Sequence, residues 1–274
     1  MALRDTPGPR RPVVETLLEG NGLDSDQGGV AFCAVTLVDG VDAAGRTRRV
    51  VVDPGSSGRL TALHDALARR GLTGSDIDEV VLTHAHWDHA QNLDPFDRAV
   101  VRVHPRELDY IRDPHPGDFA TPRWTRAVID RYDVREVLDG TELMAGVTVV
   151  EAFGHSAGSI AVAVATADGL AVVTGDAIQS AAVARSRRNP LVFSDEDDAQ
   201  RSIARLLDLA DIVRPGHDRP FRWSATGTVE YLYDFRLTLR GLSEEELAGL
   251  VIEGCRPAPP VVCAVQDPTT ATGA

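Results

Sequence analysis

Three histidines and an aspartate fall within six residues, in His84-Ala85-His86-Trp87-Asp88-His89, directly behind the apolar run Glu79 to Thr83. The chain has only eight histidines in 274 residues, so the cluster is too dense to read as an ordinary polar turn. In an extended segment residues i and i+2 share a side, which lets His84 and His86 converge on one point. A turn after them would present Asp88 and His89 to a second point nearby. Imidazole and carboxylate are the ligands that zinc and similar ions take when sulfur is absent.

Three more polar residues stand behind apolar runs in the same manner. Gly154-His155-Ser156 follows Val147 to Phe153, Gly175-Asp176-Ala177 follows Leu170 to Thr174, and Gly216-His217-Asp218 follows Asp211 to Arg214. Each alone reads as a simple turn. Together they share a format, and strand ends in a layered α/β fold tend to gather on one rim.

The rest of the pattern alternates strands and helices. Val13 to Leu18 and Val30 to Val38 read as a first hairpin and Arg49 to Asp53 as a third strand. Leu60, Leu63 and Leu67 mark one face of a helix ending near Gly71. Arg98 to Val103 reads as a strand, Pro105 to Ile111 as a short helix, and the Pro-rich stretch Arg112 to Thr125 as a long surface loop. A second strand block covers Val147 to Ala152, Ser159 to Ala165, Leu170 to Thr174 and Asp211 to Arg214. Ser194 with Asp197 reads as a capping box opening a helix with Ile203, Leu206, Leu207 and Ala210 on one face. Gly227 to Leu239 and Ser243 to Ile252 read as helices. Two strand blocks, each followed by helices, predict an α/β fold, a four-layer αββα sandwich. One domain is expected over residues 1–254, with 255–274, rich in Pro, Thr and Ala, a disordered tail.

Charge and cysteine usage narrow the function. The net charge is −13, from 28 Lys plus Arg against 41 Asp plus Glu. Nucleic-acid affinity rests on cations displacing counterions from phosphates, so the balance disfavours nucleic-acid binding. No apolar run approaches the roughly 20 residues of a membrane helix. Met1 to Pro12 lacks the apolar core of a secretory signal, and three cysteines without paired spacing suit a reducing compartment, so a cytoplasmic location is expected. Cys33 reads as a small core residue.

The string His84-x-His86-x-Asp88-His89 resembles the HxHxDH signature of the metallo-β-lactamase superfamily. His155, Asp176 and His217 match that family's remaining ligands in order and setting, and Asp53-Pro54-Gly55 stands where the family has an Asp-x-Gly turn. The similarity runs from about Val30 to Phe221. It implies two divalent ions, zinc first, with manganese or iron as alternatives. By this resemblance His84, His86 and His155 form one metal site, Asp88, His89 and His217 a second, and Asp176 bridges them. Asp88 would also be catalytic, passing a proton to the leaving group, while Asp53 would orient a histidine ligand. An Asp at position 176 is closer to the hydrolase branches than to the antibiotic-degrading lactamases.

The expected reaction is hydrolysis of a small ester, lactone or thioester by a hydroxide shared between two ions. Phe119 and Trp124 in the 112–125 loop are candidate substrate contacts. So are Arg185 and Arg188, with Arg187 between them, which could take an anionic group. His64, His104 and His115 fall outside the ligand pattern. A phosphodiesterase or ribonuclease of the same fold is the nearest alternative. A mononuclear iron sulfur dioxygenase is a second, weakened by the complete second ligand set. Members of the family are frequently dimers, so a homodimer is open.

Overall fold

The computed structural model describes residues 11–25, 28–29, 31–224, 226–238, 243–244 and 261–262. In its first half β1 (Val13–Leu18) precedes a two-strand ribbon of β2 (Asp24–Ser25) and β3 (Gly28–Gly29). Then come β4 (Val35–Val41), β5 (Thr47–Val52), β6 (Glu79–Val81), β7 (Val100–Val103) and β8 (Asp133–Glu136). Their helices are α1 (Leu60–Arg69), α2 (Trp87–Ala90), α3 (Pro105–Tyr110) and α4 (Thr125–Ile129). The second half holds β9 (Glu142–Met144), β10 (Val147–Glu151), β11 (Ile160–Thr166), β12 (Gly169–Gly175), β13 (Leu191–Val192), β14 (Ile212–Pro215), β15 (Phe221–Trp223), β16 (Val229–Tyr231) and β17 (Val261–Val262). Its helices are α5 (Ala181–Ser186) and α6 (Glu196–Leu209).

Two mixed sheets result, ordered β1-β4-β5-β6-β7-β8 and β16-β15-β14-β12-β11-β10-β9. Strands β5 to β8 run parallel, as do β12 and β14. Side chains alternate between faces along each strand, so consecutive residues feed different cores. On β5, Val50 and Val52 face the second sheet while Val51 faces the helices; on β11, Ile160, Val162 and Val164 face inward and Ala161 faces outward. The inter-sheet layer is built largely from valine, whose branched side chain suits a pleated, fully covered surface. Helix α1 buries Leu63, Ala66 and Leu67 on the first sheet, and α6 buries Ala199, Ile203, Leu206 and Leu207 on the second. The architecture is the αββα sandwich expected.

Several local expectations differ from what is observed. The second strand of the first hairpin starts at Val35, because Phe32 is committed to a bridge with Asn21 and Cys33 to a contact with Asp88. Residues 229–231 form β16 rather than a helix. Pairing with β15 aligns Phe221 with Tyr231, and that cross-strand match outweighs weak local helix preference. The cap of α6 is Asp195, whose side chain accepts from Asp198 N, while Ser194 N instead donates to Gly154 O. The arginine segment 185–188 is not all loop, since α5 runs through Ser186. The helix expected over 243–252 lies, apart from its first two residues, outside the described residues, as does most of the tail after Gly254. Within that tail, Val261–Val262 pairs with β13. Among the described residues no helix is long and apolar enough to cross a membrane.

Leu63 has no solvent exposure and sits in the core beneath the first sheet, far in function from any polar cluster. Leu63→Ala is expected to lower unfolding free energy by about 2–5 kcal/mol in a urea titration, through lost transfer energy and a residual cavity.

Candidate metal centre

Five strand ends meet at one edge of the sandwich. Strand β5 leads into Asp53, β6 into the motif, β10 into His155, β12 into Asp176 and β14 into His217. The sheets are joined at that edge by Ile160 N donating to Thr83 O at 2.8 Å, and by Ala34 N, just before β4, donating to Gly216 O, just after β14, at 2.6 Å. His84, His86, His155 and Asp176 bring one potential ligand atom each to within 4.8 Å of one another, and so do Asp88, His89 and His217. All seven are buried except His217, which is half-buried.

Asp176 sits between the groups. Its Oδ1 lies 3.3 Å from both His89 Nε2 and His217 Nε2, and its Oδ2 lies 3.5 Å from His155 Nε2. His86 Nδ1 is 3.1 Å from His155 Nε2, and Asp88 Oδ2 is 3.4 Å from His217 Nε2. Ligands bonded to a tetrahedral ion at about 2.0–2.1 Å lie roughly 3.3 Å apart, so this is the spacing such an ion imposes. His84 Nε2 and Asp176 Oδ1 are buried without a hydrogen-bond partner. Orphaned buried polar atoms are costly and call for a partner. The His and Asp groups are compatible with a site for two metal ions.

Four of the five rings are held from behind. His84 Nδ1 contacts Thr83 Oγ1 at 3.0 Å, His89 Nδ1 contacts Asp53 Oδ2 at 2.8 Å, His155 Nδ1 contacts Leu191 O at 2.7 Å and His217 Nδ1 contacts Asn21 O at 3.1 Å. Such partners set the tautomer, leaving the inward nitrogen as a lone pair. Asp53 is the most connected of them. Its carboxylate accepts Thr83 N and Thr83 Oγ1, both at 2.7 Å, besides His89, and it adopts a positive φ of 55°. Asp tolerates that region better than bulkier residues.

Titration follows the same layout. Burial keeps His84 well below the ordinary histidine value, aided by His89, His86 and His155. Burial likewise pushes His155 down to about 4. Burial opposes the charge of Asp176, but His217 and His89 outweigh it and hold its carboxyl well below the usual range. Burial also opposes charge on His89 and His217, but the neighbouring carboxylates of Asp176 and Asp88 outweigh it and hold His89 well above, and His217 above, the ordinary histidine value. The site therefore combines neutral His84 and His155 with a fixed carboxylate and two histidines that hold a proton, which a bound cation would have to displace.

Some contributors carry no sequence signal. Glu107, on α3 and without solvent exposure, accepts Ala85 N at 2.8 Å, Ser156 Oγ at 2.5 Å and Gly158 N at 2.9 Å. It ties the motif segment to the His155 segment across 49 residues of chain. Asp118, inside the loop expected to face substrate, points inward instead, 3.4 Å from His86 Nε2. Phe119 beside it is 66% exposed and Trp124 48%, both accessible to a ligand. Phe119 packs edge-on to the buried Phe193, which in turn stands against His86 and His155. Arg185 and Arg188 are exposed, and Arg188 pairs with Glu196 at 3.1 Å. Cys33 is buried and donates its thiol to Asp88 O, with burial pushing its pKa up. His104 is buried against Glu151, His115 accepts Gly117 N, and His64 is exposed.

Fold and site together define a layered α/β protein with a buried His/Asp cluster suited to two metals. Residues 28–217 match the family model described as the metallo-beta-lactamase superfamily, and the chain belongs to that superfamily. It is 33% identical over 215 residues to metallo-beta-lactamase domain-containing protein 1 of Xenopus laevis, covering 76% of this chain and 81% of that one. It is also 33% identical over 159 residues to a hydroxyacylglutathione hydrolase of Ruegeria pomeroyi, covering 57% of this chain and 53% of that protein. Among solved structures, a B. thuringiensis AiiA variant with N-decanoyl-L-homoserine bound at its active site superposes with a TM-score of 0.59. That pair is 18% identical and the match covers 77% of this chain and 94% of the other.

Gly175 has φ of 50°, and a Cβ there would lie 2.3 Å from Thr83 Oγ1, the hydroxyl joining Asp53 to His84. Gly175→Ala is expected to destabilise by about 2–4 kcal/mol and to weaken retention of added divalent metal on dialysis. Gly45→Ala has a similar positive φ with no atom within 4 Å of the new Cβ, so it should cost only about 1 kcal/mol and leave metal retention unchanged.

Proposed function

We propose that this chain is a binuclear metal-dependent hydrolase of a small ester, lactone or thioester. The observation that carries the reading is Asp176 lying within 3.5 Å of imidazoles from both clusters, with its Oδ1 otherwise unpartnered. In this assignment His84, His86 and His155 hold one ion, Asp88, His89 and His217 the other, and Asp176 serves both. When bound, two such ions acidify water toward a pKa of about 7 and draw charge from the electrophile's oxygen.

The protein's own groups supply orientation and proton transfer. Asp88 reaches the cluster with one oxygen 3.4 Å from His217 Nε2. Its carboxylate would accept the proton of the attacking water as a bond forms to the acyl carbon. It would return that proton to the oxygen or sulfur that leaves when the acyl bond breaks. The aromatic pair Phe119 and Phe193 flanks the His86 and His155 side and offers an apolar wall for the acyl portion. Trp124 would extend that wall. Arg185 and Arg188 are the candidates for an anionic group on the substrate. The hydroxyacylglutathione hydrolase among the relatives and the N-decanoyl-L-homoserine bound in the structural neighbour support an acyl substrate. So does the net charge of −13, which disfavours a polyanion. Zinc is the first choice of metal for a His/Asp ligand set.

The test is elemental mass spectrometry on the full chain together with a panel of lactones, thioesters and an activated phosphodiester. About two zinc ions per chain with turnover of a lactone or thioester is the expected outcome. Asp176→Ala should lower metal content and take turnover below detection. Turnover of the phosphodiester alone would replace this reading with the nuclease one. One iron per chain with oxygen uptake on a persulfide would replace it with the dioxygenase.

A further inference from the structure

His86 is turned the opposite way from its neighbours. The rings of His84, His89, His155 and His217 are held at Nδ1 and send Nε2 inward. His86 sends Nδ1 inward, 3.1 Å from His155 Nε2, so its outward nitrogen is Nε2. That atom is buried and makes no conventional hydrogen bond. The group it faces is the Asp118 carboxylate, with Oδ2 at 3.4 Å and the side chain fully buried.

Asp118 is itself rigidly placed. Its Oδ1 accepts Ala120 N at 2.8 Å and Thr121 N at 3.1 Å, while its Oδ2 accepts Thr121 Oγ1 at 2.6 Å and Tyr110 OH at 2.8 Å. The turn is docked on the motif through Trp87 N donating to Ala120 O at 2.9 Å.

We infer that Asp118 is a positioning residue for the first metal site: it fixes the Nε2–H tautomer of His86 and thereby leaves Nδ1 as the ligand lone pair. The inference rests on the metal-centre reading above. A carboxylate behind an imidazole selects the tautomer and raises the basicity of the inward nitrogen. Here it does so from the loop that also carries the exposed Phe119, so first-site geometry and one substrate-facing wall share a single turn.

The experiment is a chelator-competition zinc titration of the full chain, paired with two-bond proton–nitrogen correlation spectra of its histidines. Wild type should show one site imidazole protonated at Nε2 and the others at Nδ1. Asp118→Asn keeps an oxygen for Ala120 N and Thr121 N but turns an amide toward His86. It should lose the Nε2–H signature and weaken one zinc step by about 10- to 100-fold, leaving the other unchanged. Tyr110→Phe removes a loop hydrogen bond from the same carboxylate and should leave both readouts as in wild type. Two zinc steps of unaltered affinity in Asp118→Asn would overturn the role of Asp118 alone. A wild-type spectrum without an Nε2-protonated site histidine would overturn it too, even if the variant failed to fold. No zinc bound by wild type would overturn the metal centre itself.

Discussion

The buried carboxylate of Asp53 is the interaction on which the arrangement of this edge depends. It closes β5, receives both the amide and the hydroxyl of Thr83, and receives His89 Nδ1. Through Thr83 it also reaches His84. One side chain therefore aligns a histidine in each of the two clusters. A buried carboxylate is tolerated because each of these contacts is a donor, and removing one would leave part of the carboxylate unpaired at a cost of about 1–3 kcal/mol. The positive φ of Asp53 directs the chain away from the sheet so that this can happen.

Around that point the protein gathers four buried carboxylates, Asp53, Asp88, Asp118 and Asp176, beside five histidines. Such a concentration of charge in a dry edge is unfavourable unless cations share it. The surrounding structure offers little room to relax. Gly216 is required because a Cβ there would fall 2.1 Å from Asp176 Oδ1, and α6 packs its first turn directly on Gly154. Glu107 adds a second staple between the motif and the His155 turn. Orientation is thus built into the protein framework itself, as a preorganised site requires.

Much of this was legible in one dimension. The dense motif, the repeated polar residue behind an apolar strand and the helix periodicity of Leu63 and Leu67 all express local rules. So do the valine-rich strands, since a strand covered on both sides leaves no place for polar residues. Less legible were the boundaries and the weak elements. Residues 31–34 look like strand but are drawn off, Phe32 bridging Asn21 and Cys33 meeting Asp88 O, and β16 looks like helix until Phe221 supplies its partner.

The sequence by itself determined the sandwich, the seven candidate ligands and the family, because periodicity and motif spacing are encoded within a few residues. Asp53 apart, only the tertiary structure decided which atoms stand behind those residues. Glu107 and Asp118 are ordinary acidic residues in a short helix and a Pro-rich loop, and both would read as solvated. Their roles arise from contacts with Ser156, 49 residues away, and His86, 32 residues away (118 less 86). Burial and hydrogen-bond partners are properties of that folding, and no local pattern records them.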